Sequence, residues 1–376
     1  MSDTEDSELL ALRAEVRGFI DEQLAAGAFT PAIDSWLSEW DEDFSRALAA
    51  RGWLGMTIPA EYGGQGRTFM ERFVVTEELL AAGAPVAAHW IADRQIGPSL
   101  LKYGTEEQKR RFLPGIARGE IYFAIGMSES EAGSDLASVQ TRATRVDGGW
   151  KVDGAKVWTS GAHKAHAFFA LLRTSPMEGG DRHTGLSQFL IDLRQPGVTV
   201  NPIVSIDGTA HFNEVVFDGL FVPDADVFGT IGEGWKQVTS ELKFERSGPE
   251  RLLSSFPVLA RLAEALAASG AEPDAELGGL IARVSGLRQL SFDVARKLQR
   301  GEPAELQASM VKVLGTALEG DIADYASNRS HELADAELAR LAHSALLRRP
   351  GFTLRGGTNE ILRGIIARGL EKSHAH

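Results

Sequence analysis

The sequence predicts an α+β chain laid out as helices, then strands, then helices. Three observations predict it. Apolar residues recur at helical spacing from Ser7 to about Gly119. Short runs rich in Val, Phe, Trp and Thr, separated by turn residues, fill the stretch from about Ile121 to Phe228. Helical spacing returns from Gly232 to the end. The chain has 376 residues, more than the roughly 250–300 at which a single core stops growing. The zones are therefore expected as domains, at 1–120, 121–230 and 231–376.

In the first zone Leu9, Leu12, Val16, Phe19 and Ile20 form one helical stripe. Phe69, Phe73, Val74 and Leu79 open a second. Thr105-Glu-Glu-Gln-Lys reads as an N-cap followed by first-turn acids. In the middle zone Asp147-Gly148-Gly149 before Trp150-Lys151-Val152 signals a hairpin. Phe168 to Leu172, Phe189 to Leu193, Val198 to Val204 and Val215 to Phe221 read as strands. Together they suggest a β-barrel or sandwich of roughly 100 residues. In the last zone Leu277, Leu280, Ile281, Val284 and Leu287 mark a helix to about Leu298. Gly301 and Pro303 part it from another at Ala304 to Tyr325.

Composition narrows the function. Hydrophobic residues at 43% and charged residues at 24% suit a globular protein with an ample core. A net charge of −13 spread along the chain argues against a nucleic-acid partner, which needs a basic face. The chain holds no cysteine, which excludes disulfides, thiolate metal sites and a cysteine nucleophile. With no apolar run of about 18 residues and no basic-then-apolar start, no membrane span or signal peptide is expected and a cytoplasmic protein is read. His163, His166, His331 and His343 lack metal-ligand spacing. No Gly-x-Ser-x-Gly elbow, Walker loop or strand-following Gly-x-Gly-x-x-Gly occurs.

Four segments are able to carry chemistry, and each has a plainer reading. Ile125-Gly-Met-Ser-Glu-Ser-Glu-Ala-Gly-Ser134-Asp135 lets backbone N–H groups and hydroxyls approach a ligand, yet Gly and Ser also build ordinary turns. Lys156-Val157-Trp158-Thr159-Ser160-Gly161 would set an aromatic ring and two hydroxyls beside a flat cofactor, or simply end a strand on a core Trp. A helix from about Trp235 should stop near Gly248, ahead of Pro249. That leaves Glu245 in a last turn, where the helix dipole favours cations. It is either paired with Arg246 or Arg251, or functional. Gly356-Gly357-Thr358-Asn359-Glu360 reads as a turn, cap and first-turn acid, whose free N–H groups would hold an anion.

Taken in order, these segments resemble the acyl-CoA dehydrogenase family across nearly the whole chain. Pro59-Ala-Glu-Tyr-Gly-Gly-Gln-Gly66 resembles its Pro-x-Glu-Tyr-Gly-Gly signature. Met127 to Asp135 resembles Thr-Glu-Pro-x-x-Gly-Ser-Asp, with Ser128 for Thr and Ser130 for Pro. Trp158-Thr159-Ser160 is similar to the Trp-Ile-Thr flavin segment, and Gly357 to Glu360 to the C-terminal Gly-Thr-x-Glu/Gln segment. The resemblance implies an N-terminal helical domain, a central β-barrel and a C-terminal four-helix bundle. It implies FAD as cofactor and an acyl-CoA substrate. It also implies an electron-transfer flavoprotein as acceptor and a homo- or hetero-oligomer. Ile125, Met127, Ser128, Gly133, Ser134, Trp158, Thr159 and Ser160 would line the flavin. Ser134 would also approach CoA, and Thr358 and Glu360 the diphosphate-adenosine half of FAD.

Many members of the family place the catalytic base just before the C-terminal Gly-Thr, where this chain has Gly356. A smaller branch places it before an Arg in the first bundle helix. Spacing from Gly234 to Arg246 matches that branch. The resemblance thus implies Glu245 as base, with Arg246 beside it at the substrate and Glu250 as the alternative. Two FAD-contacting segments of the family, Arg-x-x-Phe-Gly and Gln-x-x-Gly-Gly-x-Gly-Tyr, are missing, with residues 268–276 where the first is expected. Two further readings stay open: one subunit of a hetero-oligomer whose partner completes the FAD site, and a flavin monooxygenase or nitroalkane oxidase of the same fold.

Overall fold

The computed structural model describes residues 3–176, 181–246, 248–270 and 274–374, leaving out the side chains of 3–6, 242–246 and 372–374. The chain forms two compact units that interleave along the sequence. One is helical and holds Met1–Trp40, Arg67–Val86 and Glu245–His376; the other holds Asp41–Gly66 and Ala87–Phe244.

In the helical unit, α1 (Asp3–Ala25) buries its expected stripe, with Val16 fully enclosed. α2 (Ser35–Ser38) follows; α3 (Glu42–Ala50) belongs to the other unit; then comes α4 (Phe69–Ala81). α4 starts at a capping box in which the Thr68 hydroxyl accepts from Glu71 N and the Glu71 carboxylate accepts from Thr68 N at 2.8 Å. Its Glu77 and Glu78 are buried. Arg13 and Arg17 of α1 offset that cost, and Arg288 joins from further on, 2.6 Å from Glu77.

The second unit continues through α5 (Ala87–Ile91), a π-helical turn (Ala92–Ile96), α6 (Gly97–Tyr103) and α7 (Glu106–Ala117). The Thr105 hydroxyl caps α7 by accepting from Gln108 N, as the sequence implies. Eight strands follow: β1 (Phe123–Gly126), β2 (Arg142–Val146), β3 (Gly149–Ser160), β4 (Ala167–Arg173), β5 (Leu186–Asp192), β6 (Val198–Ile203), β7 (Phe212–Pro223) and β8 (Val227–Phe228). β2 and β3 form the expected hairpin around Asp147-Gly148. The strands make one sheet in the order β6-β7-β3-β2-β4-β5-β8, with β1 parallel to the first half of β4. Every residue of β4 is buried, so it is covered on both faces. The path is open at β6 and β8 among the described residues, so the expected barrel is not closed by hydrogen bonds. β6 is largely exposed and carries Pro202, which has no N–H to offer and suits an edge. Phe112, Phe123, Phe169 and Phe228 pack against one another at the core, with ring centroids 4.4 Å apart for Phe169 and Phe228.

α8 (Gly234–Arg246) ends ahead of Pro249, as expected, and Pro249 opens a 3-10 turn (Pro249–Arg251). The helical unit then closes with α9 (Phe256–Ser269), α10 (Ala275–Gln299), α11 (Glu305–Ser330), α12 (Ala336–Phe352) and α13 (Asn359–His374). The α10–α11 break falls at Gly301 to Pro303, as expected. Asp274 and Asp335 cap α10 and α12 by accepting from Leu277 N and Leu338 N, each at 2.9 Å.

Candidate active site

Two segments distant in sequence meet at one wall of the sheet-bearing unit. β1 ends at Gly126, where an added Cβ would lie 1.8 Å from Phe168 Cζ, so only glycine fits. The chain then loops through Met127, Ser128 and Glu129, closed by a bridge between Glu129 and Ala132. Val157 of β3 donates its N–H to the Ser128 carbonyl at 2.9 Å. Ser128 is therefore beside Val157 and Trp158, which follow it by 29 and 30 positions in sequence. Ile125 packs on the aromatic core, and Met127 packs near Trp235 and Val238 of α8.

Trp158 departs from ordinary strand geometry. Its φ is +61°, one of two positive values among the described residues other than glycine. It lies where the β3–β7 register shifts between Lys156 and Thr159. A β-bulge of this kind re-aims a side chain, and such a backbone costs on the order of 1–3 kcal/mol. The result is an indole 58% exposed, braced edge-on by Phe212. Large exposed aromatics held in strained backbone suit a ligand platform.

The neighbours of Trp158 divide. Ser160 is half-buried and pairs in register with Phe212. Thr159 turns inward at 1% exposure, its Oγ1 has no hydrogen-bond partner among the described residues, and its carbonyl accepts from Asn213 Nδ2 at 2.9 Å. Gly133 and Ser134 are exposed at the far end of the loop. There Asp135 pairs with Arg182, and the Ser138 hydroxyl and Arg182 hold its carboxyl below the usual range.

Beneath the wall lies a buried pair, one member from each of the two segments, that was not among the expected site residues. Lys156 Nζ is 2.7 Å from Glu129 Oε1, with the lysine wholly enclosed. Burial pulls the Lys156 ammonium down to about 8, against the attraction of Glu129. Burial opposes ionisation of Glu129 too, but Lys156, the Thr141 side chain and the Gln140 N–H outweigh it and keep the carboxyl below its ordinary value. Strand parity is the signal for it. Trp150, Val152 and Lys156 share the buried parity of β3, and an inward lysine requires a partner.

Thr358 and Glu360 belong to the helical unit. Gly356 and Gly357 both hold positive φ, at 68° and 86°, and turn the chain into α13. The Thr358 hydroxyl accepts from Ile361 N at 3.4 Å. Glu360 is exposed, and its own backbone N–H, then Thr358 and Arg363, hold its carboxyl low. Lys312 of α11 anchors the turn from below, donating to Thr353 O and Asn359 Oδ1 at 2.9 and 2.8 Å.

The side chains of Glu245 and Arg246 lie outside the described residues; their backbone forms the last turn of α8. Glu250 is buried at 1% exposure in the helical unit, and its Oε1 is 4.0 Å from Arg251 Nε. Arg251 in turn lies over the Trp36 ring at 5.0 Å. Among the described residues no group of His, Asp and Glu gathers to hold a metal ion, and no helix is long and apolar enough to cross a membrane.

Residues 6–120, 124–220 and 274–371 match the family models for the N-terminal, middle and C-terminal domains of acyl-CoA dehydrogenases. Acyl-CoA dehydrogenase IpdE1 of Mycobacterium tuberculosis is 36% identical over 370 residues, covering 94% of this chain and 95% of its own. The solved Tcur3481-Tcur3483 steroid ACAD superposes with a TM-score of 0.85 at 29% identity, over 97% of both chains. The ChsE4-ChsE5 complex of Mycobacterium tuberculosis gives a TM-score of 0.79 at 28% identity, over 97% of this chain and 96% of that one.

Proposed function

We propose, because this chain belongs to the acyl-CoA dehydrogenase family, that it binds FAD and oxidises an acyl-CoA thioester to the trans-2-enoyl-CoA. The family is flavin-dependent, and the chain is an acyl-CoA dehydrogenase. The observation that carries the cofactor assignment is Trp158: an indole more than half exposed, on a strained bulge, next to the Ser128 loop. Its flat face suits an isoalloxazine ring. Ser128 and Ser160 donate toward the polar edge of that ring, and Thr159 supports them from behind through its backbone. Ile125, Met127 and Gly133 line the approach. Ser134 borders CoA, and Thr358 and Glu360 at the α13 N-terminus hold the diphosphate-adenosine half.

When bound, FAD supplies the acceptor for the β-hydride, at N5. The Glu245 carboxylate takes the α-proton, a task that needs a positioned base in a dry site. Arg246, the next residue in the chain, fixes the surroundings of that base and the substrate's approach. An electron-transfer flavoprotein receives the electrons.

A second reading has one observation in its favour. The ChsE4-ChsE5 structure is a complex of two different chains, and this chain lacks two segments through which its family contacts FAD. A partner subunit would then complete the flavin site.

Purified chain should be yellow and should reduce a dye when given acyl-CoA. The panel should hold straight, branched and polycyclic acyl groups, the last because one relative is a steroid enzyme. A colourless, inactive chain that gains both properties only with a second subunit would select the hetero-oligomer. Oxygen consumption without dye would select a monooxygenase instead.

A further inference from the structure

We propose that Lys156 and Glu129 are positioning residues that fix the two flavin-facing segments to each other; this rests on the reading of that wall as a flavin site. The pair joins three pieces of chain that touch nowhere in sequence. Lys156 rises from β3 and donates to the Met127 carbonyl at 3.2 Å as well as to Glu129. Glu129, from the loop, accepts from Gln140 N at 2.6 Å and Thr141 N at 2.9 Å, at the entry to β2. The Thr141 hydroxyl closes the ring by donating to the Ala155 carbonyl of β3 at 3.0 Å.

The location matters more than the count. β3 leaves its pairing with β7 between Lys156 and Thr159, which is where Trp158 takes its strained backbone. Over those residues the strand is bonded to the loop instead, by Val157 N to Ser128 O and by Lys156 Nζ to Met127 O. A strained conformer persists only where its surroundings over-determine it. The buried pair supplies that constraint, so it governs where the Trp158 indole and the Ser128 hydroxyl stand. Removing one partner leaves the other charge buried without compensation, and the segments relax.

The test compares wild type with Lys156→Met and Glu129→Gln, the second serving if the first does not fold. Amide hydrogen exchange is read on the flavin-free chain, and FAD affinity and the visible flavin spectrum on the reconstituted protein. The expected result is faster exchange confined to residues 127–132 and 157–160, with β4 and β5 still protected. FAD binding weakens at least tenfold, the flavin spectrum changes, and kcat falls while KM for acyl-CoA stays near wild type. Unchanged exchange in both segments overturns the proposal. So does faster exchange with unaltered flavin affinity and spectrum, which marks a structural pair only. A wild-type chain that binds no FAD in any assembly overturns the flavin reading itself, whatever the exchange shows.

Discussion

The Trp158 indole meets the Phe212 ring edge-on, with centroids 5.8 Å apart and planes at 87°. Phe212 sits opposite Ser160 in the β3–β7 ladder, so the brace comes from the same rung that presents the serine. An edge-on partner steadies the indole without covering its face. Replacing Trp158 by Ala removes little buried surface, since the side chain is already 58% exposed. The fold should persist with an unaltered far-UV spectrum. FAD affinity should drop roughly tenfold, the equivalent of about 1.4 kcal/mol of lost stacking. Flavin fluorescence titration checks this, and wild-type affinity would rule out stacking on Trp158.

Thr159 makes the opposite case. Its hydroxyl is buried and without a hydrogen-bond partner among the described residues. A buried hydroxyl left unsatisfied costs about 1–3 kcal/mol. Thr159→Val keeps the shape and removes the burden, so the chain should unfold at a higher urea concentration and hold FAD as before. A tenfold loss of affinity in this variant would make the hydroxyl itself a flavin ligand.

The cluster around Glu319 gives a pH signature. Glu319 is fully enclosed, and burial pushes its carboxyl up from 4.5 to about 7; Arg355 opposes that and Asp34 adds to it. Arg355 pairs with Asp34 and stands 3.9 Å from Glu319 Oε2, while Ser254 donates its N–H to Glu319 Oε1 at 2.7 Å. Since the folded value is raised, the folded chain holds a proton that the unfolded chain has lost. This group's contribution therefore falls as pH rises from about 4.5 through 7, by roughly 1 kcal/mol per pH unit. The stability of Glu319→Gln relative to wild type should improve on going from pH 5 to pH 8. Denaturation midpoints of the two proteins at both pH values are the measurement, and a constant gap would place the titration elsewhere.

Much of the fold was legible because it is written locally. Thr105, Asp147-Gly148 and the Gly301–Pro303 break each act on their immediate neighbours, and each marks a boundary that the structure keeps. What escaped the sequence depends on distant partners. That α1 and α4 join the C-terminal helices rests on contacts such as Arg288 with Glu77, 211 positions apart. The inward turn of Lys156 follows the even parity of Trp150 and Val152, but its partner Glu129 lies 27 positions away in a loop, where no strand period reaches it.

Glu245 and Glu250 are five positions apart, and their substitutions should fail in different ways. Glu250 is buried beside Arg251, whose carbonyl lies so close to Gly315 that an added Cβ there would come within 2.1 Å of it. Glu250→Gln removes a charge from a packed interior, and breaking a buried pair typically costs about 3–5 kcal/mol. The melting temperature should fall by several degrees, with turnover per folded flavin-loaded chain retained. Glu245→Gln should do the reverse: unchanged melting and ligand binding, with turnover reduced by about 10²–10⁴, the range a general base contributes. Thermal unfolding and single-turnover flavin bleaching on both variants separate the two. Should Glu250→Gln lose turnover at full stability while Glu245→Gln keeps it, the proton leaves to Glu250 and the assignment of the base is reversed.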